Sequence, residues 1–126
     1  MGGEHRPVIF VAGPISDHGK LSQQQQKENV EYAARIGLRL LVLGFAPIIP
    51  HLSWYCDPTT LFSEWYAADE ALVARSDAVL RLPGKSWGAE NEVALAARLG
   101  IPVLHSVTEV IQWHEAANGS ISSSSR

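Results

Sequence analysis

Short apolar runs recur along the chain, separated by longer stretches of mixed polarity. Runs of this kind, bounded by glycine or proline, are typical of strands that are covered on both faces. The first run is Pro-Val-Ile-Phe-Val-Ala-Gly, and a proline follows it. The pattern predicts four strands, at residues 7–13, 45–50, 76–82 and 101–104.

Between the predicted strands, apolar side chains recur at steps of three and four residues, which predicts helices. The helices are expected at residues 21–43, 61–75, 89–99 and 108–117. In the first of them, we expect one apolar stripe to face the sheet, made of Val30, Ala34, Gly37, Leu38 and Leu41. Residues 51–60 are rich in Trp, Tyr, Pro and Asp without a period, so they predict a loop over the edge of the sheet.

Strands that alternate with helices imply a parallel sheet. The order of elements predicts an α/β fold, a flavodoxin-like three-layer sandwich with a four- or five-stranded parallel sheet. A dinucleotide-binding domain is disfavoured, because no G-x-G-x-x-G sequence follows the first strand. We expect a single domain over residues 1–117 and, from its Gly and Ser content, a flexible tail over residues 118–126.

Composition and charge narrow the function classes. The net charge is −3 and Lys and Arg form no cluster, so a nucleic acid polymer is not an expected partner. The first residues lack the apolar segment of a signal peptide, and the longest apolar run is short and broken by Pro47. Cys56 is the only cysteine, which excludes a disulfide within this sequence. We therefore expect a cytoplasmic enzyme or binding protein with no membrane partner.

The turn between the third strand and the following helix, residues 82–92, is the strongest candidate for a binding site. It lies where the carboxyl end of a strand meets the amino end of a helix, and ligands of open α/β sheets bind at that edge. Ser86 and Gly88 could hold an anion there, the serine by its hydroxyl and the glycine by close approach of the backbone. Ser86 could also cap the helix, which is the commoner use of a serine, and the two roles can coexist.

Two carboxyl groups are candidate catalytic residues. Asp69 shares a partly apolar helix stripe with Trp65, so burial is expected to raise its pKa and to suit it to donate a proton. Glu92 follows the start of its own helix, where backbone N–H groups favour the charged form. Carboxyl groups shifted in opposite directions make an acid and a nucleophile. The spacing alone also fits a solvated Glu92 and a surface contact of Asp69.

Other candidate binding residues share a predicted position near the same edge of the sheet. They are Gly13, Pro14, Ile15, Ser16, His51, Trp54 and Trp87. Aromatic rings on loops, as in Trp54 and Trp87, can stack on a base, whereas Trp65 at helical spacing suits the core. For His51, a hydrogen-bonded structural role fits as well as ligand contact. The histidines, the cysteine and the acidic residues show no metal-ligand spacing, so neither a metal nor a cofactor is expected.

Taken together, these residues resemble the nucleoside 2-deoxyribosyltransferase family, including its deoxynucleoside 5′-monophosphate N-glycosidase branch and small bacterial relatives. The resemblance extends from the first predicted strand to the fourth. It rests on Val-Ile-Phe-Val-Ala-Gly-Pro-Ile-Ser at 8–16, Pro-His at 50–51, Asp69 placed eight residues before Asp77, Ser86-x-Gly88-x-x-x-Glu92, and Gly-Ile-Pro-Val at 100–103.

The resemblance implies a definite reaction. Glu92 falls on the family's nucleophile, whose carboxylate attacks C1′ of the sugar and forms a glycosyl-enzyme ester as the base departs. Asp69 falls on the aspartate that contacts the substrate and assists proton transfer. In the monophosphate branch, positions that match Ser86 and the Gly13 turn hold the 5′-phosphate. The family also implies a homodimer or homotetramer in which neighbouring subunits complete the pocket.

Departures from the family pattern leave the substrate open. Asn91 stands where relatives often have Tyr, Ile15 replaces a polar or aromatic residue, and Glu90 would repel a phosphate if it faced the pocket. We expect cleavage of a nucleoside or nucleotide N-glycosidic bond, by a hydrolase ahead of a deoxyribosyltransferase, because no second-base site is identifiable. The alternatives are a non-catalytic nucleotide-binding sensor, and an N-glycosidase that acts on NAD or on a cytokinin-type monophosphate.

Overall fold

Four parallel strands form one sheet in the computed structural model, which describes residues 5–58 and 60–124, with side chains as far as residue 118. The strands are β1 (Val8–Ala12), β2 (Ala46–Ile48), β3 (Ala78–Arg81) and β4 (Val103–Leu104). Their order across the sheet is β2-β1-β3-β4. Ile9 of β1 pairs with Pro47 on one side and with Ala78 on the other. The order changes direction between β1 and β3, and in such sheets ligands bind at the carboxyl ends of the strands near that point.

Helices cover both faces of the sheet. They are α1 (Gln23–Val42), α2 (Phe62–Ala74), α3 (Trp87–Arg98) and α4 (Val107–Ser124), and a short 3₁₀ helix spans Pro50–Tyr55. The predicted α/β fold with a parallel sheet of four strands is confirmed, and the arrangement is that of a flavodoxin-like three-layer sandwich. In the part of the chain that the structure describes, no helix is long and apolar enough to cross a membrane.

Two buried clusters lie on opposite faces of the sheet, because alternate residues of a strand point to opposite sides. The first cluster joins β1 and β3 to α1 and α4, through Ile9, Val11, Leu40, Leu80 and Val110. The second joins the same strands to α2 and α3, through Phe10, Ala12, Val73, Val79 and Ala96. The continuous apolar run of β1 thus supplies both cores, as expected for a strand covered on both faces.

Helix α1 faces the sheet with a stripe that differs from the predicted one. Its buried residues are Gln26, Val30, Ala33, Gly37 and Leu40. Leu38 and Leu41, which were predicted to face the sheet, are 60% and 48% exposed. A Cβ on Gly37 would lie 2.2 Å from Ile49 Cδ1, so glycine allows the helix to approach the chain after β2 closely. This approach sets the rotation of α1, which the periodicity alone does not define.

Three element boundaries differ from the sequence prediction. The 3₁₀ helix Pro50–Tyr55 occupies half of the predicted loop, and Pro50 suits its first turn because its φ is already set. Helix α3 begins at Trp87, before the predicted start at residue 89, because Ser86 caps it. Helix α4 continues to Ser124, where a flexible tail was predicted from residue 118, since adding residues to a formed helix is easier than starting one. Residues 125 and 126 of that tail lie outside the described residues.

Candidate active site

A cleft opens at the carboxyl edge of the sheet, near the point where the strand order changes direction. It encloses about 780 Å³, part of which is open to solvent. Its walls come from the β1–α1 connection, the 3₁₀ helix, α2 and the amino end of α3. The predicted site residues on its lining are Gly13, Ile15, Ser16, His51, Trp54, Asp69, Ser86, Trp87, Gly88 and Glu92.

Pro14 is a predicted site residue that does not line the cleft. A Cβ on Gly84 would lie 3.0 Å from Pro14 Cγ, so the proline ring packs on the turn after β3. Gly84 has a φ of +111°, a conformation that favours glycine. A Cβ on Gly13 would likewise lie 2.9 Å from Leu82 Cβ. The turns after β1 and β3 therefore pack closely together. Pro14 lies where the two turns meet and not on the cleft lining.

The carboxyl groups of Asp69 on α2 and Glu92 on α3 lie close enough to interact by charge and to share a hydrogen bond. Two carboxyl groups can form such a bond only when one of them holds a proton. Burial raises the pKa of Asp69 to about 6. Burial, the charge of Asp69 and the hydrogen bond together raise the pKa of Glu92 to about 9. Near neutral pH the pair therefore holds one proton and titrates as a unit.

The raised pKa of Glu92 is opposite to the prediction from sequence. The amino end of α3 was expected to favour the charged form, but α3 begins at Trp87 and its first turn holds Glu90 instead. The helix dipole acts mainly within the first turn, whereas Glu92 lies beyond it and is only 9% exposed. Desolvation therefore dominates, and Arg81 opposes it only in part. The raised pKa of Asp69 agrees with the prediction.

Glu90 lies outside the cleft. Its Oε2 forms an ion pair with Arg81 Nη2 at 2.7 Å, and Arg81 also donates hydrogen bonds to the carbonyl oxygens of Leu82 and Gly84. These groups lie together beside the turn after β3. Because Glu90 lies outside the cleft, it does not bring its charge into the pocket as the sequence analysis considered. Asn91, the other departure on this helix, is exposed as well.

Trp87 lies at the mouth of the cleft in contact with two other rings. Its ring centroid is 5.2 Å from that of His18 and 5.3 Å from that of Tyr66. The indole is 53% exposed, so much of its surface is accessible to a ligand. Tyr66 comes from α2, and burial followed by the charges of Glu92 and Asp69 raises its pKa. We call these three rings the aromatic wall. They join the segment between β1 and α1 to helices α2 and α3.

Ser86 caps helix α3. Its Oγ accepts a hydrogen bond from the Ala89 N–H at 3.0 Å, and its backbone is extended, as a capping residue requires. The same side chain lines the cleft. Capping, one of the two roles predicted for this serine, is confirmed, and anion binding by its hydroxyl stays a prediction.

Trp54 is fixed in place by a hydrogen bond. Its Nε1–H donates to Gln26 Oε1 at 2.9 Å, and Gln26 Nε2 in turn donates to the Leu21 carbonyl oxygen at 2.9 Å. This chain of bonds satisfies the amide of Gln26, which allows a glutamine to be buried on α1. It ties the 3₁₀ helix to α1 and holds the Trp54 ring on the cleft lining.

His51 and Trp65 place buried nitrogen atoms on the cleft lining without hydrogen bonds. His51 is 1% exposed, and neither its Nδ1 and Nε2 nor Trp65 Nε1 has a partner among the described residues. The Gly13 backbone lies near the imidazole but short of hydrogen-bond geometry. Burial lowers the pKa of His51 to about 4, so the ring is neutral at pH 7. Because unpaired buried polar atoms are uncommon, these nitrogens are candidates to bind polar ligand atoms.

Sequence analysis missed other lining residues, among them His18, Phe62 and Tyr66. Tyr66 lies three residues before Asp69 on the same helix, and this spacing could have revealed it. Asp17 and His18 have φ values of 52° and 57°, which are uncommon for residues other than glycine. Hydrogen bonds from the Gly19 and Leu21 N–H groups to Ser16 stabilise this turn. No periodic pattern predicts a turn of this kind.

No protein-family model matches the chain, and no curated protein is significantly similar to it. Within residues 5–58 and 60–124, no group of three or more His, Cys, Asp and Glu side chains is placed to hold a metal ion. The cleft brings together a pair of carboxyl groups, several aromatic rings and buried nitrogens that lack partners among the described residues.

Proposed function

We propose that this protein cleaves the N-glycosidic bond of a nucleoside or nucleotide, with Glu92 as the nucleophile and Asp69 as the proton donor. The observation that carries the proposal is the single proton that two buried carboxyl groups share in an aromatic cleft. A retaining glycosidase needs one acid and one nucleophile at the same site. The sequence resemblance to nucleoside 2-deoxyribosyltransferases assigns these roles to the same two residues.

The hydrogen bond between the carboxyl groups favours a covalent intermediate over direct attack by water. Inverting glycosidases hold a water molecule between carboxyl groups that are about 6.5–9.5 Å apart, whereas in retaining enzymes the separation is about 5–5.5 Å. Asp69 and Glu92 interact directly, which fits the shorter of these two separations. Attack by Glu92 itself requires no water between them.

In the first step, the proton passes from Glu92 to Asp69 along the hydrogen bond that joins them. The Glu92 carboxylate then attacks C1′, and the bond between C1′ and the base nitrogen breaks. The electron pair of that bond leaves with the base, which receives the proton from Asp69. The products of this step are a glycosyl ester on Glu92 and a neutral free base.

In the second step, a water molecule attacks C1′ and the ionised Asp69 accepts its proton. The bond between C1′ and the Glu92 oxygen breaks, so Glu92 leaves as a carboxylate and the free sugar is released. The pair again holds one proton. Attack by a second base in place of water would give base exchange, and we propose hydrolysis first because no separate second-base site is evident among the described residues.

The aromatic residues of the cleft suit the base of such a substrate. Stacking of a base on an aromatic side chain contributes about 1–3 kcal/mol, and Trp54 and Trp87 both lie on the lining. Trp87 is held by its neighbours in the aromatic wall, and Trp54 is held by Gln26. Both rings are therefore positioned before a ligand binds.

The test is the release of free base from ribonucleosides, 2′-deoxyribonucleosides, their 5′-monophosphates and NAD, followed by chromatography with and without an acceptor base. The wild-type protein should release base from at least one of them, and Glu92→Gln should release none. Glu90→Gln is the matched control, because Glu90 lies on the same helix but outside the cleft. Acid-quenched wild-type protein should gain the mass of one sugar, and Glu92→Gln should not.

Three outcomes would contradict the proposal. Base release that persists unchanged in Glu92→Gln would exclude Glu92 as the nucleophile. No release from any compound, together with a ligand-dependent rise in Tm, would favour the nucleotide sensor instead. Release from NAD alone would favour the alternative N-glycosidase.

A further inference from the structure

We propose that the cleft selects an uncharged nucleoside over its 5′-monophosphate, because carboxyl groups line it and no Lys or Arg does so among the described residues. The inference rests on the proposed function, which makes the ligand a nucleoside or a nucleotide. The lining carboxyl groups on which the proposal rests are those of Asp17, Asp69 and Glu92. A phosphate monoester carries a charge of about −1.5 to −2 at pH 7, so this lining would repel it.

The basic residues nearest in sequence to the cleft offer no side chain on its lining, although the charge of Arg81 reaches Glu92. The Arg81 guanidinium is held by Glu90 and by backbone carbonyl oxygens beside the turn after β3. Lys20 and Lys85 are exposed and do not line the cleft. Recognition of a phosphate by a charged pair or by a bidentate arginine is therefore not available on the described lining.

The amino end of α3 is the feature of the cleft that would favour an anion. A helix end carries the equivalent of about half a positive charge. Asp17 lines the same cleft and adds a negative charge to it, and the carboxyl pair adds another near neutral pH. These full charges exceed the partial charge of the helix end.

The polar atoms that lack partners in the cleft are uncharged, which suits a neutral ligand. A neutral imidazole offers one hydrogen-bond donor and one acceptor, and an indole offers one donor. His51 and Trp65 hold these atoms buried and unpaired on the lining. Hydroxyl groups, carbonyl oxygens and ring nitrogens of a nucleoside match such atoms without any charge on the ligand.

Calorimetric binding to the Glu92→Gln protein tests the proposal without turnover. The probes are the common ribonucleosides and 2′-deoxyribonucleosides, each compared with its own 5′-monophosphate. The Gln amide leaves the single negative charge of the pair on Asp69. We expect at least one nucleoside to bind about tenfold more tightly than its monophosphate at low salt, and the ratio to fall as salt is added.

Charge variants supply the matched comparison, each made in the Glu92→Gln protein. Asp17→Asn should raise monophosphate affinity several-fold relative to nucleoside affinity, and Asn tolerates the φ of 52° at this position. Glu115→Gln makes the same change of charge at an exposed position of α4. Glu115→Gln should leave the ratio of nucleoside affinity to monophosphate affinity unchanged.

Equal or tighter binding of the monophosphates, or binding of neither partner of any pair, would overturn the proposal. Failure of the proposed reaction is a different result. If wild-type protein releases no base, the reaction is refuted, while calorimetry still ranks the nucleosides against their monophosphates. If monophosphates are cleaved faster than nucleosides, the reaction stands and the preference for an uncharged substrate is refuted.

Discussion

The core beneath the helices and the cleft at the edge of the sheet differ in whether their buried polar groups have hydrogen-bond partners. Away from the cleft, the Ser76 hydroxyl donates to a backbone carbonyl at 2.8 Å. On the cleft lining, His51 and Trp65 hold nitrogens without partners, and two carboxyl groups have raised pKa values. Such groups reduce the stability of a fold and cluster at functional sites. The contrast indicates that the core stabilises the fold, whereas the cleft keeps polar groups available for a ligand.

The largest effect is expected from Glu92→Gln on activity. A glutamine cannot form the glycosyl ester, so base release should fall by at least about 10³-fold. The measurement is the rate of base release from the best substrate. Asp69→Asn should also reduce the rate, by about 10²–10⁴-fold, because it removes the proton donor. A variant at either position that keeps the wild-type rate would contradict the assignment of an acid and a nucleophile.

Substitution in the core should instead affect stability. Leu40 is fully buried, whereas Leu38 on the same helix is 60% exposed. Leu40→Ala should lower the free energy of unfolding by about 3 kcal/mol, and Leu38→Ala should change it by less than about 0.5 kcal/mol. Denaturant unfolding measures both, and base release per folded molecule should stay at the wild-type level. Equal losses in the two variants would contradict the observed rotation of α1.

The core could be predicted from sequence better than the cleft. The core follows from local patterns of apolar residues, whereas the cleft depends on contacts between elements that are distant in sequence. The apolar run of β1 and the helical spacing after it are local patterns, and they predict the layers correctly. The pKa of Glu92 depends on where α3 begins and on burial by α2, which spacing does not reveal. The unpaired nitrogens of His51 and Trp65 depend on elements distant in sequence. Asp69 was predictable because its neighbour Trp65 lies on the same helix.

The raised pKa of Glu92 predicts a stability that depends on pH. Folding raises this pKa from 4.5 to about 9, so between these values the unfolded chain releases the proton first and stability falls as pH rises. Glu92→Gln removes this loss. The linkage between these two pKa values amounts to roughly 4–5 kcal/mol at pH 8, so the variant should be several kcal/mol more stable than wild type there, and this difference should disappear near pH 4.

Urea unfolding at pH 4 and pH 8 measures this difference, with Glu90→Gln as the control. Glu90 has a side chain that is 67% exposed and pairs with Arg81, so neutralising it should not raise stability at either pH. A Glu92→Gln variant that is less stable than wild type at pH 8 would show that the cleft does not destabilise the fold through this carboxyl group.

Trp65→Phe should separate ligand binding from stability. The change removes the unpaired Nε1–H and keeps most of the aromatic surface. Nucleoside affinity should fall about five- to tenfold, as expected for the loss of one hydrogen bond, while the free energy of unfolding stays the same or rises slightly. Trp113 belongs to α4 and packs against the core. Trp113→Phe should therefore not change the nucleoside affinity. Unchanged affinity in Trp65→Phe would mean that the ligand does not use this nitrogen.

Ser86 belongs to both regions, because it caps a helix of the core and lines the cleft. Ser86→Ala should lower the free energy of unfolding by about 1 kcal/mol through loss of the cap, and Ser86→Asp should restore it because Asp caps as well as Ser does. The aspartate also adds a negative charge at the amino end of α3. If the substrate is uncharged and Ser86 only caps the helix, base release by Ser86→Asp should stay near the wild-type rate. If Ser86→Asp keeps normal stability but loses base release, Ser86 would instead be assigned to binding a substrate phosphate. Helix capping would then not be its main role.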